Sequence, residues 1–120
     1  MSGGVLIVED DDIIREFVSI ALRGVGYDVT TASHGAAALD IVNADEPGLI
    51  LLDMRMPVMD GWQFSRLYRE FPAPRAPVIV VTAAQDARET AAEVDADGYL
   101  AKPFHIAELL DVVGRYAATA

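Results

Sequence analysis

The chain has 120 residues, 52% of them apolar, and its 9 Lys and Arg against 19 Asp and Glu give a formal net charge of −10. That length allows one domain with one core, the apolar content excludes disorder, and the acidity argues against direct nucleic-acid binding, which needs clustered cations. The absence of cysteine excludes disulfides, thiol catalysis and cysteine-ligated metal centres, and no apolar run approaches the roughly 20 residues of a membrane span.

The opening MSGG leads straight into an apolar strand rather than a signal peptide, so a soluble, cytoplasmic protein is expected. Val5–Val8 (VLIV) is rich in β-branched residues and too short for a helix, which predicts a strand buried on both faces. Four acids follow, Glu9 to Asp12, and Asp11 or Asp12 is expected to cap the next helix. Ile14, Phe17, Val18, Ala21, Leu22 and Val25 then recur at one-face helical spacing, with Gly24 and Gly26 where that helix should stop. Ile13 and Ile20 widen this stripe beyond what one core face needs; core packing is the first reading for both. Tyr27–Thr31 is a weaker, more polar strand suited to an edge. Residues 34–44 read as a helix, Leu49–Leu52 (LILL) as a buried strand ending at Asp53, and residues 60–70 as a third helix. Val78–Val81 (VIVV) is a further buried strand leading to Thr82, and residues 85–95 form a helix with a thin apolar face. Gly98–Ala101 is a second edge strand leading to Lys102 and Pro103, and Ile106, Leu109, Leu110 and Val113 mark a last helix. Five strands alternating with five helices predict a flavodoxin-like, doubly wound parallel α/β sheet with strand order 2-1-3-4-5, and no linker or repeat divides residues 1–120.

In such a sheet the carboxyl ends of the strands share one edge, where ligands bind near the switch in strand order. Glu9, Asp10, Asp53, Thr82 and Lys102 are therefore expected to converge from four parts of the chain. Of the nine cations eight are arginines, and Lys102 is the only lysine. Singly, each residue has an ordinary reading as a helix cap, a turn residue, a strand end or a surface cation. Together at one edge they make a site. Clustered carboxylates raise one another's pKa unless a cation lies among them, and oxygen donors without His or Cys suit hard, octahedral Mg²⁺, with Mn²⁺ as a substitute. A carboxylate beside that metal, an ammonium and a hydroxyl is an arrangement for phosphoryl transfer, with an aspartyl phosphate as product.

The segments VLIVEDDDIIRE, Asp53-Met-Arg-Met-Pro-Val-Met-Asp-Gly61, VIVVTAA and GYLAKPF, in that order, resemble the receiver domain of two-component response regulators over the whole chain. The resemblance implies that Asp53 accepts a phosphoryl group from a histidine kinase or phosphotransfer protein. It implies that Asp10 and Asp53 ligate Mg²⁺, Glu9 directly or through water, and Arg55 through its backbone carbonyl. Lys102, joined to Pro103 by a cis peptide, would bind the phosphoryl oxygens. Thr82 would donate to them, and Tyr99 would be the aromatic switch that swings inward with Thr82. Met56, Pro57, Met59 and Gly61 would shape the loop after Asp53, with Trp62 near it as a fluorescent reporter.

Some features depart from the family pattern. The interval from Thr82 to Lys102 is short, so the fourth helix or its preceding loop should be abbreviated, and Asp95 stands where a glycine is usual, a position an Asp can fill at positive φ. Ala107 and Val112 replace arginines that pair across one type of receiver dimer, so a monomer or weak dimer is expected. Seven acids against two cations between Asp86 and Asp111 suggest a face for a basic or mixed protein partner, or simply a solvated surface. Phosphotransfer domains dock near the first helix in this family, which makes Ile13 a candidate contact.

The expected function is a signalling module that controls a downstream protein, without nucleic-acid or membrane binding. It assists its own phosphorylation and slow dephosphorylation and is not a turnover enzyme. An alternative is a receiver domain belonging to a larger DNA-binding regulator or hybrid histidine kinase. Two rivals from other classes fit less well. A flavodoxin-like electron carrier lacks its Ser/Thr/Gly-rich phosphate loop here, and a dehalogenase-type phosphatase would need an Asp where Glu9 stands.

Overall fold

The computed structural model describes residues 4–117. Ten elements alternate along the chain: β1 (Val5–Val8), α1 (Asp12–Gly24), β2 (Val29–Ala32), α2 (Gly35–Ala44), β3 (Leu49–Asp53), α3 (Gly61–Tyr68), β4 (Val78–Ala83), α4 (Ala87–Glu93), β5 (Gly98–Lys102) and α5 (Ile106–Ala117). The sheet is parallel in the order β2-β1-β3-β4-β5, as the pattern of apolar runs predicts. Alternate residues of the three inner strands feed two cores. Leu6, Val8, Ile50, Leu52 and Val80 pack against Ala38 and Val42 of α2, Phe64 and Tyr68 of α3, and Ala91 of α4. Val5, Ile7, Leu49, Leu51, Ile79 and Val81 pack against Val18 and Leu22 of α1 and Leu109 and Val113 of α5. Burial on both faces is why these strands read as unbroken apolar runs.

Asp11 caps α1, its Oδ1 accepting from the backbone of Ile13 at 2.9 Å and Ile14 at 3.0 Å. The helix ends at Gly24, and Gly26 follows at φ +102°, a conformation suited to glycine. The apolar stripe of α1 needs correction. Val18 and Leu22 are buried, but Ile13 is 81% exposed, Ile20 62% and Phe17 46%, so the first two are not core residues. One helical face docks on the sheet, and these side chains lie outside it. β2 begins two residues later than Tyr27–Thr31 suggests, because Tyr27 instead packs against the core beside α1.

The abbreviated fourth helix is present: α4 has 7 residues, and Asp86 at its start makes no side-chain capping bond. Asp95 adopts φ 55°, as expected for a glycine position. Val58 was not foreseen at φ 70°; a β-branched residue there is strained, and it is exposed in the loop between β3 and α3. Both Lys102–Pro103, as anticipated, and Ala73–Pro74 are cis. Among the described residues no helix is long and apolar enough to cross a membrane.

Candidate functional site

The sheet register assembles the acidic edge. Val8 pairs with Leu52, so Glu9, just past β1, and Asp53, the last residue of β3, come next on neighbouring chain segments. Asp53 pairs with Val81, which sets Thr82 one step further along β4, and Ala83 pairs with Lys102 across β5. Gly61 lets the following loop turn back tightly: its N–H donates to the carbonyl of Met54 at 2.9 Å, and a Cβ there would lie 2.7 Å from the Met54 Cα. No larger residue fits without moving the chain beside Asp53.

Glu9 and Asp53 are buried, at 4% and 6% exposure, while Asp10 is exposed. One carboxylate oxygen from each of the three lies within 4.8 Å of the others. The Lys102 ammonium donates to Glu9 Oε1 at 3.0 Å and to Asp53 Oδ1 at 3.3 Å. Glu9 is further fixed on two sides: its Oε2 accepts from the Asp11 backbone at 3.2 Å, and its backbone carbonyl accepts from Arg15 Nη1 at 2.9 Å. Arg15 is also ion-paired with Asp12. This brace by Arg15 was not anticipated; its only sequence signal is an arginine one helical turn past the cap. Beneath the site lies a space of about 20 Å³ lined by Ile14, Val18, Phe104 and Leu109 as well as the two acids.

That apolar floor has an electrostatic consequence. Burial, reinforced by the negative charge of Glu9 and opposed by Lys102, pushes the Asp53 carboxyl up to about 7 from 3.8. Burial alone would lower the pKa of Lys102, but the charges of Asp53 and Glu9 outweigh it and hold the ammonium above its ordinary value. One lysine does not balance the acids around it. The donor set, three carboxylate oxygens with no His or Cys, fits a hard divalent cation, which would offset burial and the negative charge of Glu9 and so favour the ionised form of Asp53.

Of the residues expected at the site, Glu9, Asp10, Asp53 and Lys102 come together. Thr82 is buried at 6% exposure in its register position, whereas Tyr99 is outward, with 42% of its surface exposed. The Arg55 guanidinium lies over the Trp62 ring, 5.4 Å from its centre.

A family model described as "response regulator receiver domain" matches residues 5–114. The response regulator MprA of Mycobacterium tuberculosis (strain H37Rv) is 39% identical over 112 residues, which are 92% of this chain and 48% of that protein. The chain thus spans about half the length of the curated relatives it matches. Among solved structures, a putative response regulator from Chloroflexus aurantiacus is 34% identical with a TM-score of 0.88, covering 98% of this chain and 99% of the other. The receiver domain of a sensor histidine kinase from Pseudomonas aeruginosa PAO1, with magnesium coordinated in its active-site cleft, is 33% identical with a TM-score of 0.88, covering 99% and 100%.

Proposed function

From the premise that the chain belongs to the response regulator receiver domain family of two-component systems, we propose that Asp53 accepts a phosphoryl group from a histidine kinase or histidine phosphotransfer protein. The observation that carries this reading is the only lysine of the chain lying 3.0 Å from Glu9 and 3.3 Å from the buried Asp53. Glu9, Asp10 and Asp53, with the backbone carbonyl of Arg55, hold Mg²⁺, which supplies charge neutralisation for the phosphoryl oxygens; Mn²⁺ suits the same oxygen donors. Asp53 must be ionised to attack. Its oxygen forms the new bond to phosphorus as the bond from phosphorus to the donor histidine nitrogen breaks and the imidazole leaves. Lys102 binds the transferring oxygens as a point charge and Thr82 donates its hydroxyl to them.

The acyl phosphate then favours an inward Tyr99, so signalling is a shift of population toward a state that a downstream protein recognises. The exposed Ile13, Phe17 and Ile20 on α1 support this helix as the docking face for the phosphodonor, since an apolar patch beside a reactive centre marks an interaction surface. The chain acts as a cytoplasmic signalling module that catalyses only its own modification and slow dephosphorylation. It works as a monomer or weak dimer and does not contact nucleic acid itself. The half-length match to MprA and the likeness to a kinase-borne receiver domain support a second context, in which these residues serve as the receiver of a larger regulator or hybrid kinase.

The test is phosphotransfer from autophosphorylated histidine kinases to the chain. Label that enters only with Mg²⁺ and disappears in Asp53→Asn supports the reading. Equal labelling of wild type and Asp53→Asn refutes it.

A further inference from the structure

Trp62, the only tryptophan of the chain, lies between the loop after Asp53 and α4. On one side the Arg55 guanidinium is 5.4 Å from its ring centre, and Arg55 belongs to the loop that follows Asp53. On the other side its indole N–H donates to Glu93 Oε1 at 3.1 Å, and Glu93 is the last residue of α4. A parallel tie joins Arg69, just past α3, to Asp95 at 3.4 Å.

α4 has little of its own to fix it. It has 7 residues and no side-chain cap at Asp86, and a helix far shorter than about 12 residues is held by its neighbours rather than by propensity. Its last turn is therefore sensitive to what Glu93 bonds. The stack on Arg55 is sensitive too, because the attraction of a cation to a ring fades beyond about 6 Å from the ring centre. At 5.4 Å a sub-ångström displacement of the loop reaches that limit.

We propose that Trp62 couples the loop after Asp53 to α4, so that events at the acidic site alter the order of α4 through Arg55, Trp62 and Glu93. Trp62 is a positioning residue and touches no reacting atom. The inference rests on the reading of Asp53 as a metal-assisted phosphoacceptor, and its test separates the two.

The measurement is amide hydrogen exchange across residues 87–93 in chelator, in Mg²⁺, and in Mg²⁺ with beryllofluoride as a phosphoryl mimic, with Mg²⁺ affinity followed by calorimetry. In wild type, α4 exchange changes when Mg²⁺ and beryllofluoride are added. Trp62→Phe keeps an aromatic face for Arg55 but lacks the N–H, so α4 exchanges about fivefold faster in chelator, the equivalent of one solvent-exposed hydrogen bond of about 1 kcal/mol, and its response is lost. Mg²⁺ affinity in this variant stays at the wild-type value. Glu93→Gln retains an acceptor oxygen and keeps the response, whereas Glu93→Ala loses it on an exposed position where folding is not at risk. A Trp62→Phe protein whose α4 exchanges and responds as wild type overturns the coupling, as does a wild type that binds Mg²⁺ and beryllofluoride with no change in α4. A wild type that binds neither overturns the site reading and the coupling with it.

Discussion

Replacing Asp53 by Asn should stabilise the metal-free domain at alkaline pH, although it removes a partner of Lys102. The direction of the Asp53 shift decides this, since burial and Glu9 together outweigh the attraction of Lys102. A carboxyl raised from 3.8 to about 7 on folding contributes stability that is fully present below the lower value and lost as pH rises through the upper one. Between pH 5 and pH 8 the folded protein gives up a proton that the unfolded chain has already lost. At about 1.4 kcal/mol per pH unit the ceiling on that loss is about 3 kcal/mol, and relaxation around Lys102 reduces it to roughly 1–3 kcal/mol. Urea unfolding of wild type and Asp53→Asn in chelator, at pH 5 and at pH 8, reads the contribution of Asp53 and its coupled neighbours, because titrations remote from it cancel in the difference. Asp53→Asn should gain on wild type by that amount at pH 8. Adding Mg²⁺ at about ten times its Kd should then return about 1.4 kcal/mol to the wild type and less to the variant. A difference that does not change with pH, or that favours the wild type in chelator at pH 8, would refute the account of Asp53 as a buried, charge-frustrated carboxyl.

Lys102→Ala should leave a folded, Mg²⁺-binding domain that fails to switch, seen as metal binding in calorimetry without the change that beryllofluoride brings to wild-type α4. Ile13→Ala removes an apolar side chain that is 81% exposed, so stability should be nearly unchanged. Its kcat/KM for phosphotransfer from a histidine kinase should fall by about tenfold, the worth of burying one such side chain, while labelling by acetyl phosphate is unaffected. Val58→Gly should raise the urea midpoint by the equivalent of about 1 kcal/mol, because glycine accepts the φ of 70° and an exposed valine gives up little packing.

The inner strands could be read directly because burial on both faces leaves no polar residue to interrupt VLIV, LILL or VIVV. Their carboxyl ends named the site residues in turn, since strand order carries Glu9, Asp53 and Lys102 to one edge. The short α4 was visible as a shortened interval before Lys102, and the positive φ of Asp95 as an Asp at a glycine position. Other features had no local signal. Periodicity reports that Ile13 and Ile20 are apolar, not whether the sheet or a partner covers them. The polar start of β2 blurs into the turn before it, because edge strands carry little burial signal. The tie of Trp62 to Glu93 joins residues 31 apart in sequence and depends on how α3 and α4 pack. Val58 at positive φ was hidden because valine is among the residues least suited to it.

The central claim is that Asp53 is the phosphoacceptor, and intact-mass analysis with peptide mapping after exposure to acetyl phosphate and Mg²⁺ tests it most directly. The account predicts the mass of one added phosphoryl group, located on the peptide containing Asp53, absent with chelator and absent in Asp53→Asn. An adduct on any other residue, or one that forms as readily without Mg²⁺, would contradict it.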